Sequence, residues 1–261
     1  MACAAAGHNP APVADPVSAP TLRTDRISRT LAGRRIVDAL NLDVARGEVL
    51  GLLGVNGAGK STTLRMIAGV LAPDSGEVRL AGEDLYEAPE LARRGIGYLP
   101  ERAPLHAELD VAEYLTFCAR LHGLSRRDAQ AAVNREIERC DLGEVRRQLI
   151  IQLSKGFQQR VGIAQALLHQ PAVVVLDEPA SGLDPVQSLR MRELIRALRT
   201  DHAVILSTHL LAEAEACCDR IAILHRGVKR HDAPVTAGET ARLEQLFLRI
   251  AADLDPDAAA A

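Results

Sequence analysis

Residues 54–61, GVNGAGKS, place three glycines, a lysine and a serine between an apolar run and a helical pattern. The run EVLGLL (48–53) predicts a strand, and KSTTLRMIAGVL (60–71) predicts a helix. The segment matches G-x-x-x-x-G-K-[ST], which requires this strand–loop–helix context. Glycines let backbone N–H groups close around phosphate oxygens. The segment therefore predicts a nucleotide-phosphate site in an α/β fold.

Each residue of this loop has an expected contact. Lys60 supplies a positive charge to the β- and γ-phosphates, and the Ser61 hydroxyl is a ligand for the Mg²⁺ that accompanies a nucleotide. The alternative, a glycine turn beside a surface lysine, does not explain the flanking strand and helix. The expected nucleotide-binding residues are Gly54, Asn56, Gly57, Gly59, Lys60, Ser61 and Thr62.

A pair of carboxylates follows a second apolar strand, in VVVLDEP. At the carboxyl edge of a parallel sheet, Asp177 can reach a metal held over the phosphate loop. Glu178 is expected to point the other way along the pleat and to polarise a water for attack on the γ-phosphate. Such a pair alone is typical of a solvated strand end, so the assignment depends on the loop at 54–61.

A second candidate anion site lies in LSKGFQQR (153–160). Ser154 and Gly156 stand at a predicted helix start, where free N–H groups and the positive end of the helix dipole favour an anion. The sequence thus contains two anion-binding segments about a hundred residues apart.

Strand and helix patterns alternate along most of the chain, which predicts a mainly parallel sheet covered on both faces. Two consecutive amphipathic helices (108–124 and 125–142) interrupt this alternation, the second with a Ser125/Asp128 capping-box start. Further helices are predicted at 156–169, 186–199, 210–218 and 241–250, and further strands at 34–44, 77–82, 172–177, 202–208 and 220–224.

Composition excludes several classes of function. The formal charge of −3 gives no drive toward nucleic acid, and no apolar run is long enough to span a bilayer. The first twenty residues lack the pattern of a secretory signal, so we expect a cytoplasmic chain. Five cysteines without a CxxC pair predict neither disulfides nor a zinc site. The adjacent Cys217 and Cys218 are interpreted as packing residues, with a redox sensor as the alternative.

Six motifs occur in the order typical of one family: GVNGAGKST, GYLPE (97–101), LSKGFQQR, VVVLDEP, SGLDP (181–185) and STH (207–209). From about residue 21 to 228 the chain resembles the nucleotide-binding subunits of ATP-binding-cassette (ABC) transporters. LPE together with LSKGFQQRVGIAQALL resembles the ABC-2-type exporter branch, the gliding-motility-like group in particular.

The resemblance implies a P-loop ATPase core with a mainly parallel sheet, an antiparallel β subdomain and a helical subdomain at about 98–165. It implies a disordered tail at 1–20, an ATPase domain at 21–228, and a C-terminal extension at 229–261 with one helix and a flexible tail. The cofactors would be ATP and Mg²⁺. The expected location is the inner face of the cell membrane, reached through a separate transmembrane permease.

In this family the LSGGQ-like segment caps ATP bound on a second subunit, so two head-to-tail subunits share two ATP molecules. By this resemblance, Ser154 and Gly156 would contact the partner's γ-phosphate, and Asp184 would act across the dimer interface. His209 would bond the γ-phosphate and orient the attacking water, as Glu178 activates it. This division explains why one chain carries two anion-binding segments.

The chain departs from the family pattern at three places. Lys155 and Phe157 replace a glycine and a glutamine of the signature, and Lys155 either adds charge near the phosphate or merely tolerates exposure. Glu101 replaces the usual Q-loop glutamine, and a carboxylate there can still be a Mg²⁺ ligand. Leu31 stands where relatives have an aromatic residue that stacks on adenine, and Arg34 or Arg35 could stack instead.

Two alternatives to a transporter motor remain open at this stage. One is a soluble ABC ATPase of an assembly complex, such as iron–sulfur cluster biogenesis, which shares the same catalytic motifs. The other is a regulatory cassette that binds ATP without turnover, suggested by Leu31, Glu101 and Lys155. The sequence identifies no transported substrate, and it does not distinguish a homodimer from a heterodimer.

Overall fold

The computed structural model of the chain describes residues 21–252 except 237 and 239. The predicted disordered tail at 1–20 and the end of the predicted flexible tail lie outside the described residues. The strands are β1 Leu22–Leu31, β2 Arg34–Val44, β3 Val49–Leu53, β4 Ser75–Leu80, β5 Glu83–Asp84, β6 Ile96–Leu99, β7 Val173–Asp177, β8 Ala203–Thr208, β9 Arg220–His225 and β10 Val228–Pro234. The α-helices are α1 Lys60–Ile67, α2 Pro89–Gly95, α3 Val111–Leu121, α4 Arg126–Arg139, α5 Lys155–Leu167, α6 Pro185–Leu198, α7 Leu211–Cys217 and α8 Thr240–Ala251.

The strands form two sheets. The larger has the order β10-β9-β3-β8-β7-β6, in which all neighbours are parallel except β10, which runs antiparallel to β9. The smaller is antiparallel, with the order β2-β1-β4-β5. The predicted fold class, a mainly parallel sheet with an antiparallel β subdomain and a helical region, is confirmed.

The larger sheet is apolar on both faces, because each central strand sends alternate residues into two different clusters. In β3, Leu50 and Leu52 join the cluster that contains α1 and the smaller sheet. Val49 and Leu53 join the cluster formed with the later helices. The glycine loop that follows β3 therefore starts from a strand buried on both sides.

The helical region consists of α3, α4 and α5, which pack on one another. Helix α3 begins with a capping box, in which the Asp110 side chain accepts the N–H of Glu113 and the Glu113 side chain accepts the N–H of Asp110. Ser125 caps α4 by accepting the N–H of Asp128 at 3.2 Å, but the predicted capping box is incomplete, because the Asp128 side chain accepts the Ser125 hydroxyl and not its N–H. No described helix is both long and apolar enough to cross a bilayer.

Five elements were not predicted from the sequence: β1, β5, α2, β6 and β10. The pairing of β1 with β2 shifts register three times between Thr24 and Thr30, which destroys the period of two that marks a strand. Strands β5 and β6 span only two and four residues. Strand β10 extends the larger sheet into the segment assigned from sequence to the C-terminal extension.

The cysteines of the described part of the chain are buried and free. Burial raises the pKa of Cys217 to about 11 and that of Cys218 well above its usual range, so neither thiol is activated. A Cβ atom on Gly51 would lie 2.7 Å from the Cys218 sulfur, so this thiol fills the space that a glycine of β3 leaves. These contacts support the packing interpretation of the cysteine pair.

Gly97 of β6 tests how closely the helical region packs on the sheet. A Cβ atom at this position would lie 2.1 Å from the carbonyl oxygen of Ala166 in α5. We expect Gly97→Ala to lower the free energy of unfolding by roughly 2–3 kcal/mol, because backbone atoms must separate to admit the methyl group.

Gly143 supplies the matched control, since a Cβ atom there meets nothing within 4 Å. Gly143→Ala is expected to change the free energy of unfolding by less than about 0.5 kcal/mol. Urea denaturation of both variants measures the difference. Equal stability of the two would show that α5 does not rest on β6 as described.

Candidate active site

Three strands of the larger sheet end at the same edge and deliver the polar residues of the site. Strand β3 leads into the glycine loop and α1, β7 ends at Asp177, and His209 directly follows β8. Because neighbouring parallel strands end on the same side, residues distant in sequence meet here. The edge is the crevice in which open α/β sheets bind ligands.

The loop between β3 and α1 has the backbone that close approach to an anion requires. Gly59 precedes α1 with φ of 104°, a left-handed conformation that favours glycine. A Cβ atom at Gly54 would lie 2.5 Å from the carbonyl oxygen of Leu224 in β9. Lys60 is buried, and its Nζ donates to the carbonyl oxygen of Gly54 at 2.7 Å. The lysine charge is thus held at the loop itself.

A cavity of about 440 Å³ opens over this loop. Its walls combine the loop and the start of α1 with residues of β2 and of the segments after β6, β7 and β8. The lining residues are Arg34, Ile36, Asn56, Gly57, Ala58, Gly59, Lys60, Ser61, Thr62, Glu101, Glu178, Ser181 and His209. Of the predicted loop residues, only Gly54, directly after β3, does not line the cavity.

Asp177 lies beneath the cavity and is almost fully buried. Its Oδ1 accepts hydrogen bonds from the Ser61 hydroxyl at 3.1 Å and the Ser207 hydroxyl at 2.6 Å. Burial raises the pKa of Asp177, the two hydroxyls oppose that shift, and the nearby charges of Glu178 and Glu101 add to it. An ionised Asp177 is therefore costly in the ligand-free protein.

These residues fit the binding of Mg²⁺ with a nucleotide. A hydroxyl and a carboxylate, Ser61 and Asp177, already face each other, and carboxylates crowd around them. Among the described residues no group of three or more His, Cys, Asp or Glu side chains could hold a metal alone. At such sites Mg²⁺ is usually bound by only one or two protein oxygens together with oxygens of the substrate phosphates.

Glu178 does not point away from Asp177 as the pleat of a strand predicts. Its φ of 50° takes it out of the extended conformation, so its side chain returns toward the glycine loop. Its carboxylate lies 3.4 Å from Lys60 Nζ and 2.9 Å from His209 Nδ1. The left-handed turn therefore places both carboxylates at one cavity.

His209 reaches Glu178 from the end of β8 and is partly exposed to the cavity. If its Nδ1–H donates to Glu178, the neutral ring keeps only a lone pair at Nε2. Donating a second hydrogen bond to a phosphate oxygen then requires the protonated ring. The hydrogen bond to Glu178 therefore decides which nitrogen of His209 can face a phosphate oxygen.

Ser207 is a site residue that the sequence reasoning missed. Its hydroxyl donates to Asp177 and accepts the backbone N–H of Glu178 at 3.0 Å. It is fully buried in β8. One hydroxyl thus holds the metal-side carboxylate and the left-handed turn of Glu178 together. A polar residue inside an otherwise apolar strand, two positions before His209, was the available signal.

The second anion-binding segment is not part of this cavity, since Ser154 and Gly156 are not among the lining residues. Ser154 caps α5 by accepting the N–H of Phe157 at 3.4 Å, which leaves its own O–H able to donate. A Cβ atom on Gly156 would lie 2.7 Å from the Gln187 side chain. Asp184 caps α6 by accepting the N–H groups of Val186 and Gln187.

The residues that depart from the family pattern have defined surroundings. Lys155 is exposed, and its ammonium lies against Gly182 of the SGLDP segment, where a Cβ atom would be 2.6 Å from it. The Phe157 ring is covered by the Arg160 guanidinium at 4.2 Å. Glu101 lines the cavity, whereas Leu31 does not.

Comparison with known proteins agrees with this site. The ABC transporter family model matches residues 37–181, from β2 to just beyond the Asp177–Glu178 pair. An uncharacterized ABC transporter ATP-binding protein of Bacillus subtilis, YxlF, is 40% identical over 79% of this chain and 68% of its own length. The bacitracin transport ATP-binding protein BcrA of Bacillus licheniformis is 34% identical over 82% of this chain and 69% of its own.

Two further similarities concern export and fold. The Nod factor export ATP-binding protein I of Rhizobium etli is 39% identical over 77% of this chain and 64% of its own length. A solved ATP-binding subunit of an ABC transporter is 30% identical and superposes with a TM-score of 0.76, covering 88% of this chain and 99% of that one.

The raised pKa of Asp177 predicts that this residue destabilises the ligand-free protein. A carboxyl whose folded pKa is raised loses stability as the pH rises from its unfolded pKa through its folded one. Near pH 7, with a chelator and no nucleotide, we expect Asp177→Asn to raise the Tm by roughly 2–4 °C, about 1 kcal/mol in a chain of this size. The amide oxygen of the asparagine can still accept hydrogen bonds from the Ser61 and Ser207 hydroxyls.

The difference in Tm between Asp177→Asn and the parent chain should shrink as the pH falls, because protonated Asp177 is neutral like the asparagine that replaces it. Thermal denaturation at several pH values measures the trend. A variant that melts below the parent chain at pH 7 would contradict the electrostatic account.

Proposed function

The chain belongs to the ABC transporter family as an ATP-binding subunit, and we propose that it hydrolyses ATP in a head-to-tail dimer to drive a separate membrane permease, as an exporter. The observation that carries the proposal is the meeting of Lys60, Ser61, Asp177, Glu178 and His209 at one cavity. Together these residues offer a positive charge for the phosphates, oxygen ligands for Mg²⁺, and a base and a hydrogen-bond donor for the hydrolysis step.

The glycine loop would bind the triphosphate through its N–H groups, with Lys60 as the counter-charge. Phosphate oxygens compete there with the carbonyl of Gly54 and the carboxylate of Glu178 for the lysine ammonium. Ser61 and Asp177 would hold Mg²⁺, with Glu101 on the cavity wall, and the ion would neutralise charge on the phosphates. Thr62 and Asn56 complete the loop.

Glu178 would accept a proton from the attacking water. Its carboxylate is held between Lys60 and His209, so its orientation is limited before substrate binds. His209 would donate to the γ-phosphate from the opposite ring nitrogen. These two residues are the proposed catalytic residues.

Replacing Glu178 tests the hydrolytic assignment. We expect Glu178→Gln to lower ATP turnover by roughly 100-fold or more, because the amide cannot accept the proton. ATP-bound dimers should persist, since the loop and Lys60 are unchanged. Phosphate release and size-exclusion chromatography with ATP measure the two effects.

Glu138→Gln is the matched control, since this glutamate is exposed on α4, away from the cavity. It should leave turnover and dimer formation unchanged. Turnover of Glu178→Gln equal to that of the parent chain would remove Glu178 from the role of base.

A head-to-tail dimer is supported by the separation of the two anion-binding segments. Ser154 and Gly156 have a free hydroxyl and helix N–H groups but lie outside the chain's own cavity. A second copy can bring them to the γ-phosphate. Asp184 caps α6, and Gln187 of that helix packs against Gly156. Asp184 therefore lies near Ser154 and Gly156, and its proposed contact with a second copy would be made from the same part of the surface.

The permease would dock on the helical region, in a groove of about 400 Å³ on α3, α4 and the segment after α4. Phe117 is exposed there at 44% of its surface, and Arg146 and Arg147 line the same groove. An apolar ring beside two guanidinium groups suits a permease segment with an apolar and an acidic side chain. Docking there would place the chain at the inner membrane face.

Export is proposed from the names of similar proteins, which include bacitracin transport and Nod factor export. Neither name supports the gliding-motility-like group, which stays a prediction. These relatives favour a transporter subunit over the ATPase of an assembly complex.

Affinity purification of the tagged chain from its native cell in mild detergent tests the partner. We expect a membrane protein with several spanning segments to co-purify. Phe117→Asp should abolish that co-purification, because the charge occupies the apolar part of the groove, and should leave ATP turnover of the isolated chain unchanged.

Leu248→Asp provides the comparison, since Leu248 is exposed at 59% on α8, away from the groove. It should retain the membrane protein. Recovery of soluble partners alone, with ATP turnover intact, would favour the assembly-complex ATPase instead.

A further inference from the structure

The cavity over the glycine loop extends beyond the groups that suit phosphates. The loop residues, Glu101, Glu178 and His209 have proposed roles at the phosphates or the Mg²⁺, and Ser181 follows Glu178 closely in the chain. Two lining residues remain, Arg34 and Ile36, and both come from β2 of the antiparallel sheet. They are the available contacts for the nucleoside part of the ligand.

No phenylalanine or tyrosine ring of this chain lines the cavity, and the ring that does, the imidazole of His209, pairs with Glu178. The sequence has three tyrosines, three phenylalanines and no tryptophan, and the structure describes all six rings. None of them lines the cavity. Tyr86, for example, donates to the carbonyl oxygens of Met66 and Leu71, which anchors it beneath the smaller sheet. In the described structure, no phenylalanine or tyrosine ring is therefore placed to stack on a base in this cavity.

Of the two arginines at the start of β2, only Arg34 is available. The Arg35 guanidinium pairs with Asp38, with 2.9 Å between Nε and Oδ1. Arg34 is exposed, and within the described part of the chain its guanidinium makes no hydrogen bond or ion pair. A guanidinium is planar and weakly hydrated, so it stacks on flat π systems as well as pairing with anions.

We propose that the Arg34 guanidinium, which lines the cavity together with Ile36, stacks on the base of the bound nucleotide in place of an aromatic ring. Stacking uses the π face that every base has and does not read the base edge. The site therefore selects the triphosphate rather than adenine, and its substrates are nucleoside triphosphates as a class. This inference rests on the proposed function, whose triphosphate site it extends.

Equilibrium titration of the full chain with Mg²⁺ complexes of ATP, GTP and UTP, and with inorganic tripolyphosphate, tests the proposal. The parent chain should bind the three nucleotides within about threefold of one another. Arg34→Ala should weaken all three by roughly 5- to 100-fold, the range for loss of one stacking contact. Tripolyphosphate has no base, so its binding should change much less.

Three variants separate stacking from other effects. Arg34→Lys keeps the charge without the plane and should resemble Arg34→Ala, whereas Arg34→Tyr should restore ATP binding. Arg35→Ala should bind as the parent chain does, because that side chain faces Asp38. Parent-like affinity of Arg34→Lys would show a charge effect and overturn the proposal.

Three other results would also overturn it. Weaker nucleotide binding by Phe157→Leu, seen only at concentrations where the chain dimerises, would mean that the base stacks on the ring of a second copy. Arg34→Ala with parent-like nucleotide affinity would remove Arg34 from the site but leave the proposed ATPase intact. A parent chain that binds neither ATP nor tripolyphosphate would overturn the proposed function as well.

Discussion

One carboxylate oxygen, Oδ1 of Asp177, connects three strand ends of the larger sheet. It accepts from Ser61 after β3 and from Ser207 in β8, while Asp177 itself ends β7. Ser207 in turn accepts the N–H of Glu178, so the hydrogen bonds continue to the second carboxylate. The glycine loop and both acidic residues therefore share one rigid arrangement, which a site for charged ligands needs before the ligand arrives.

The same arrangement carries an electrostatic cost in the ligand-free protein. Asp177 is buried, and the charges of Glu178 and Glu101 oppose its ionisation. Lys60 offsets part of this through Glu178, at 3.4 Å. A cation bound with phosphate would relieve the remaining repulsion, so ligand binding and local stability are coupled at this edge of the sheet. The burial that destabilises the carboxylate also strengthens its interaction with a metal ion.

The signature segment is ordered by contacts within its own chain although its ligand would lie on another. Gly156 packs against Gln187, and Lys155 lies against Gly182. The SGLDP segment and the start of α5 therefore form one surface. Lys155, for which sequence offered either added charge or exposure, is exposed and also covers Gly182. If the SGLDP segment moves when a dimer forms, the start of α5 with Ser154 is expected to move too, because Lys155 contacts Gly182.

The sequence by itself determined the glycine loop, the paired carboxylates and most helices and central strands, because each follows from a local pattern of glycine, charge or hydrophobic period. Tertiary structure alone decided the rest. The strand β1 has no readable period because its pairing with β2 shifts register. The direction of Glu178 depends on a left-handed φ held by Ser207, 29 residues away in β8. Of Arg34 and Arg35, the structure shows that Asp38 pairs with Arg35. In each case the outcome depends on positions in space, whether the residues lie 29 apart, as Glu178 and Ser207 do, or three apart, as Arg35 and Asp38 do, and a pattern along the chain does not record them.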